Sequence, residues 1–188
     1  MSGQAGGDPG DRPAPPALEP FRLFLNTDDR YHGVDHLGSE QLFRRFAEPC
    51  LPGWPRSLTR EDLARARGLR DGLRPVVLLE PTAAVGVLNA VAADHPVVVE
   101  LALEDGEVRS RLRPAGRGSF ARLVALALGA AHTAAADGSL ALLRACERSD
   151  CQWVYWSGAA PGSSRWCSHT CSSVMKMRAY RERRREAG

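Results

Sequence analysis

The sequence predicts an α-rich α+β fold, in which a helical N-terminal domain with a two-stranded β-hairpin precedes a small cysteine-rich module that ends in a basic helix. Three observations predict it: apolar residues recur at helical spacing, two strand-like segments flank an Asp-Gly turn, and four of the five cysteines lie after residue 145. The 188 residues suffice for one ordinary domain and a small module. The composition, 44% apolar and 25% charged, is typical of soluble folded proteins.

The start of the chain differs in composition from the rest. Residues 1–20 contain four glycines and five prolines and lack the apolar segment of a secretory signal, so we expect a flexible leader. Phe21, Leu23 and Leu25 then alternate with other residues, which predicts a short strand before the turn that begins at Asn26.

Three helices are expected in the following 70 or so residues. Ser39 is a suitable N-cap for the first helix, which the prolines near position 50 should stop. Thr59 and Asp62 have the spacing of a capping arrangement for a longer second helix. Thr82 could cap a third helix that runs to Asp94.

The next segment carries the clearest strand signal of the chain. Residues 97–103 and 108–112 are rich in apolar residues and are separated by an Asp-Gly turn, which predicts a β-hairpin. Ser119 is the expected N-cap of a strongly apolar helix that should end near Gly138. A last short helix is expected over Leu140–Arg144.

This pattern divides the chain into a leader (1–20), an α-rich domain (21–145) and a cysteine-rich module (146–188). The net charge of +3 is unevenly distributed, because residues 144–188 carry +5 and residues 1–143 carry −2. A basic tail is typical of proteins that contact phosphates. The longest uncharged stretch of the apolar second half, Leu123–Ala136, has 14 residues and falls short of the ~20 that a membrane helix needs, so we expect a cytoplasmic protein with no membrane partner.

Four cysteines form two close pairs separated by 15 residues: Cys146, Cys151, Cys167 and Cys171. Each pair can present both sulfurs to one ion, and four thiolates favour a single zinc ion. Such a site has no open position for a water molecule, so we expect a structural zinc and not an enzyme. The alternatives are four unrelated buried thiols, or His169 as a substitute ligand.

The cysteine module also has recognisable sequence features. After the first pair come Trp153-Val154-Tyr155, then Ser163-Ser164-Arg165-Trp166-Cys167-Ser168, the second pair, and a basic segment from Lys176. With these features residues 146–185 resemble the CGNR-type zinc finger, which ends a bacterial family of stress-response transcription regulators. Phe24-Leu25-Asn26-Thr27, Leu88-Asn89 and Leu142-Leu143-Arg144-Ala145-Cys146 are similar to that family's α-rich N-terminal domain. The Cys-Gly-Asn-Arg motif itself is absent, because Ser172, Ser173 and Val174 follow Cys171.

The basic tail is the candidate DNA-binding segment. Ser172 or Ser173 could cap a helix there, with several arginines on one face. The candidate DNA-binding residues are Arg165, Lys176, Arg178, Arg181, Arg183, Arg184 and Arg185. We expect phosphate contacts from the helix and a specific contact from Arg165 beside Trp166. A solvated terminal helix would explain the same charges.

Four aromatic residues in the module have two interpretations. They are Trp153, Tyr155, Trp156 and Trp166, and we expect them to build an apolar shell around the zinc, with stacking on exposed bases as the alternative. A further polar cluster, composed of Asp28, Asp29, His32, Asp35 and His36, could form a pocket or a second metal site, although loop composition explains it equally well.

Together these features predict a DNA-binding transcription regulator with double-stranded DNA as its partner. The N-terminal domain would sense a small-molecule effector or mediate homodimerisation. Two alternatives remain open, a zinc-stapled protein-interaction module and a zinc-thiolate redox switch. Contact with phosphates would be distinguished from contact with protein by its steeper salt dependence.

Overall fold

A computed structural model describes residues 12–50, 53–78, 81–158 and 164–186. Within these ranges the chain forms six α-helices: α1 Glu19–Leu25, α2 Glu40–Cys50, α3 Arg60–Leu73, α4 Pro81–Asp94, α5 Ser119–Ala136 and α6 His169–Glu186. The strands are β1 Asp28–Asp29, β2 Val34–Asp35, β3 Val97–Glu104, β4 Glu107–Pro114, β5 Leu143–Ala145 and β6 Val154–Trp156. The strands form three antiparallel pairs, β1–β2, β3–β4 and β5–β6. The predicted α-rich α+β fold is confirmed.

The main core lies where α1 and α3 pack against α5. Phe21 and Phe24 of α1, Leu73 of α3 and Leu123 of α5 are fully buried in it. Val154 of β6 belongs to the same cluster, although it lies in the segment between the two cysteine pairs. The cysteine module is therefore packed against the helical domain and shares its core.

Several local signals act as the sequence predicts. The Leu42 amide donates to the Ser39 hydroxyl at the start of α2 (3.2 Å), and Thr59 and Asp62 form a reciprocal capping box at the start of α3. The β3–β4 hairpin turns at Asp105 and Gly106, with φ of 50° and 81°. Two successive positive φ angles are those of a type I′ turn, the kind that Asp-Gly favours.

The predicted strand at Phe21–Leu25 is wrong, because this segment is the helix α1. All five of its residues are buried. Alternation of apolar and polar residues indicates a strand when one face of the segment is buried and the other faces water. Residues 21–25 are buried on every side, so the alternation there carries no such information. Pro20 lies at the first turn of α1, where its missing amide costs no hydrogen bond.

Part of the predicted flexible leader, within residues 12–20, makes contacts with the fold. Leu18 is buried, and the Ala14 amide donates to the Glu19 carboxylate (2.7 Å). The Arg12 carbonyl accepts a hydrogen bond from the Trp156 amide of β6 (3.1 Å). Residues 1–11 lie outside the described residues.

Three predicted helix ends differ in the structure. Gly118, with φ of 102°, is the N-cap of α5, so Ser119 is its first residue. The expected helix over Leu140–Arg144 is a 3-10 turn over Ser139–Leu142 followed by β5, because that segment pairs with β6. The Ser168 hydroxyl caps α6, because it accepts the Cys171 amide (3.2 Å).

Helix α5 is long and apolar enough to cross a membrane by length and composition alone. Half of its 18 residues are buried inside the fold. The core helix of a soluble protein passes the same test, so this feature is weak evidence for a membrane span.

Candidate metal centre and basic helix

Local backbone structure places the four cysteines. Cys146 follows β5, and its amide donates to the Trp153 carbonyl (2.9 Å), which closes the first loop. Gln152, with φ of 51°, allows the chain to reverse directly after Cys151. Cys167 precedes α6 and Cys171 lies in its first turn, so the helix supplies part of the site.

The four sulfurs converge on one point. All lie within 4.8 Å of one another, and the Cys151–Cys167 and Cys167–Cys171 sulfur distances are both 3.7 Å. A tetrahedral zinc with Zn–S bonds of about 2.3 Å requires sulfur separations of about 3.8 Å. Each cysteine is at most 1% exposed. The quartet is therefore suited to binding one zinc ion and closed to a water ligand.

The thiols influence one another's protonation. The pKa of Cys146 is lowered because the thiols of Cys151 and Cys167 hydrogen-bond to it. The pKa of Cys151 is raised mainly because its thiol is hydrogen-bonded to Cys146, and that of Cys167 is raised to about 12 for the same reason. Four sulfurs this close cannot all carry negative charge without a cation between them, and bound Zn2+ supplies that charge and deprotonates them.

A second layer of polar contacts surrounds the sulfurs, and sequence reasoning missed it. Arg148 donates to the Cys171 sulfur (3.8 Å), and its guanidinium lies over the Tyr31 ring (5.2 Å). Arg148 also pairs with Asp150 (2.7 Å), which holds the pKa of that carboxyl well below its usual range. A cation beside the quartet offsets the charge of four thiolates around one divalent ion. The one feature of the sequence that could have indicated this role is the position of Arg148, two residues after Cys146.

Three of the four aromatic residues form the apolar shell expected for the site. Tyr155 is fully buried and its hydroxyl donates to the Ser164 carbonyl (2.6 Å), while Trp153 and Trp166 pack against the cysteines. Trp156 packs against the main core. The Arg165 guanidinium lies over the Trp166 ring (4.6 Å) and covers the surface on which a base would stack.

The predicted DNA-binding residues lie on the surface, and two of them, Arg165 and Lys176, line the same groove. Arg165 is exposed and pairs with Glu147 (2.7 Å), and Arg178 pairs with Asp150 (3.2 Å). The other five project from α6 without an acidic partner among the described residues: Lys176, Arg181, Arg183, Arg184 and Arg185. The sequence predicts these positions correctly as an exposed basic helix, and their contact with DNA stays a prediction.

Arg12 is a further cationic residue at this site that the sequence did not indicate. Its guanidinium lies over the Tyr155 ring (5.4 Å), and the residue lines a groove of about 620 Å³ with Arg165, Trp166 and Lys176. Arg12 reaches the groove because its carbonyl is held by β6. No local pattern in a Gly- and Pro-rich segment could have assigned it to a site some 150 residues away.

The polar cluster near the N-terminus is held by ion pairs. Asp35 pairs with the buried Arg70 (2.6 Å), and Asp29 pairs with His32 (2.7 Å). Among the residues that the structure describes, the cysteine quartet is the single group of three or more metal-binding side chains that converges. The second metal site considered from the sequence is not found there.

The helical domain ends in four converging cysteines that leave no position for a water ligand, and an exposed basic helix follows them. This combination defines a zinc-finger protein. The CGNR zinc finger family model matches residues 143–184. The model of the family described as "Putative stress-induced transcription regulator" matches residues 10–143, which is most of the chain. The chain belongs to this family. No curated protein matches it significantly.

Proposed function

We propose that the protein binds double-stranded DNA through its zinc finger and α6 and regulates transcription there. One observation carries the proposal: α6 has six cationic and two anionic residues, and Cys171 is its one buried residue. A helix with a net charge of +4 that is anchored at one end and free at the other presents its charge to solvent. Neutralising DNA phosphates releases condensed counterions, which favours binding.

The zinc site has a structural role in this proposal. Because Cys171 lies in the first turn of α6 and Cys146 directly follows β5, a zinc ion bound by both would tie the start of the helix to the β5–β6 pair. Arg148 and Arg178 share Asp150, which adds a polar link between the first knuckle and the helix. Binding a rigid helix costs less conformational entropy than ordering a flexible basic tail.

The groove between Arg12 and Lys176 adds a second cationic surface next to the helix. Among the described residues, its lining contains Arg12, Arg165 and Lys176 and no acidic residue. Three cations from three separate parts of the chain suit a strand of phosphates, which presents one negative charge at each nucleotide.

The proposal is tested with zinc-loaded full-length protein and a labelled random-sequence duplex. Fluorescence anisotropy at several salt concentrations gives the affinity and its salt slope. We expect the triple variant Arg178→Ala, Arg181→Ala and Arg185→Ala to bind at least tenfold more weakly, with a slope lower by about two to three. The matched control replaces Arg44, Arg45 and Arg56 by alanine, three exposed arginines outside the finger, and should leave both values unchanged.

Two results would contradict the proposal. Wild-type protein with no salt-dependent affinity for duplex DNA would favour the protein-interaction module, in which the arginines meet an acidic partner. Full affinity in the triple variant would leave α6 as a solvated helix. A cytoplasmic location belongs to the same proposal and is supported by the family match. A small-molecule effector and homodimerisation stay predictions from the sequence.

A further inference from the structure

The side chains of α6 are sorted by chemistry around the helix axis. Successive residues of an α-helix point about 100° apart, so residues spaced by four, three and four lie on one side. Ser173, Met177, Tyr180 and Arg184 have that spacing and form what we call the outer stripe. Met177 and Tyr180 are 50% and 48% exposed, among the largest apolar side chains left in contact with water.

The opposite side of the helix has the same spacing and a different chemistry. Met175, Ala179, Glu182 and Glu186 lie two residues, or about 200°, from the outer stripe and form the inner stripe. Met175 and Ala179 line the groove beside Trp166. Glu182 and Glu186, the two acidic residues of α6, therefore lie on the side of the helix that faces the finger. The outer stripe faces away from the finger.

Cations flank the outer stripe on both sides. Lys176 and Arg183, seven residues apart, lie along one edge, which is also the edge next to the Arg12 groove. Arg178, Arg181 and Arg185 lie along the other edge, where Arg178 is also paired with Asp150 of the finger. A helix that met phosphates only would need no exposed Met177 and Tyr180 between its two cationic edges.

We infer that α6 is a recognition helix that enters the major groove of DNA with its outer stripe on the base edges and its two cationic edges on the two phosphate strands. The inference deepens the proposed function and rests on it. The major groove, about 12 Å wide, admits an α-helix, and its two walls are the phosphate backbones. The acidic inner stripe then faces out of the groove, away from the phosphates.

The outer stripe has the chemistry that base edges require. The Arg184 guanidinium can donate two hydrogen bonds to a guanine, and Met177 and the Tyr180 ring can pack on thymine methyl groups. The Arg184 guanidinium lies 6.0 Å from the centre of the Tyr180 ring, which keeps the two side chains together on the exposed face.

The test starts with selection of bound sequences from a random duplex library by zinc-loaded full-length protein. Affinity is then measured on an enriched sequence and on a scrambled duplex of the same length. Tyr180→Ala removes no charge, so we expect at least about a fivefold loss on the enriched duplex, little change on the scrambled one, and an unchanged salt slope. Arg181→Ala should weaken both duplexes equally and lower the slope by about one.

Glu182→Gln, on the inner stripe, is the matched control and should keep the ratio of the two affinities. Circular dichroism and zinc content should be the same in all variants, since the side chains of Tyr180, Arg181, Glu182 and Arg184 are all exposed. The inference is overturned if wild-type protein binds DNA without enriching a sequence, or if Tyr180→Ala and Arg184→Ala keep the wild-type ratio; the proposed function survives either result. Absence of any duplex binding would overturn both.

Discussion

Asn26 is a buried side chain that links the helical domain to the zinc finger. It is fully buried after α1, and its amide group pairs with the backbone of Val154 in β6. The side-chain nitrogen donates to the Val154 carbonyl and the side-chain oxygen accepts the Val154 amide, both at 2.8 Å. We predict that Asn26→Ala destabilises both parts of the molecule together.

The size of the effect follows from what the substitution leaves without a partner. The Val154 amide loses its acceptor in a buried environment, which costs about 1–3 kcal/mol. The Val154 carbonyl keeps a weaker bond from Arg22 (3.3 Å), so its loss is partial. The space left by the amide group adds a further cost. We therefore expect the free energy of unfolding to fall by about 2–4 kcal/mol in total. For a chain of this length, that corresponds to a melting temperature lower by roughly 5–15 °C.

Urea unfolding of the zinc-loaded protein, followed by circular dichroism and by zinc release to a coloured chelator, measures the prediction. Both signals should shift to lower urea in Asn26→Ala. Asn89→Ala is the matched control, because Asn89 is exposed on α4, and it should change stability by less than about 0.5 kcal/mol. The prediction is refuted if Asn26→Ala unfolds at the same urea concentration as Asn89→Ala, or if it releases zinc at the wild-type midpoint. Either result would show that the helical domain and the zinc finger are not coupled through Asn26.

Three further predictions concern the metal and the basic surface. Purified protein should carry one zinc per chain by elemental analysis, and Cys167→Ser should lose it and lower the unfolding midpoint of the helical domain as well. Arg12→Ala should weaken binding to random duplex DNA and lower the salt slope by about one, whereas the control Arg44→Ala should not. Glu147→Gln should tighten DNA binding up to about fivefold, because it releases Arg165 from an exposed ion pair; weaker binding would show that the pair positions Arg165 instead.

The parts of the fold that the sequence predicted depend on neighbouring residues. Ser39 and Thr59 cap helices through atoms three residues away, and the Asp-Gly turn closes its hairpin locally. The predictions that were wrong depend on distant packing. Phe21 and Leu23 alternate with residues that are equally buried, so the helix α1 has no exposed side to mark its period.

The same distinction holds for the site. The spacing of the cysteines sufficed to predict the metal centre, because each pair closes a short local loop. The contacts of Asn26 and Arg12 with β6 join residues more than 120 positions apart, and a single sequence contains no signal for such pairs. Because of these contacts the zinc finger is packed into the main fold. The predicted domain boundary at residue 145 gave no indication of this.

The missing Cys-Gly-Asn-Arg motif bears on how the helix would work. Its arginine position is occupied by Val174, which is half-buried and lies one turn before Arg178. An arginine at 174 would extend the cationic edge formed by Arg178, Arg181 and Arg185 toward the zinc, so in this chain that edge starts one turn later. Since four of the six cations of α6 follow residue 180, the distal half of the helix carries most of the charge. If α6 does bind in the major groove, its phosphate contacts on this edge are therefore displaced away from the metal.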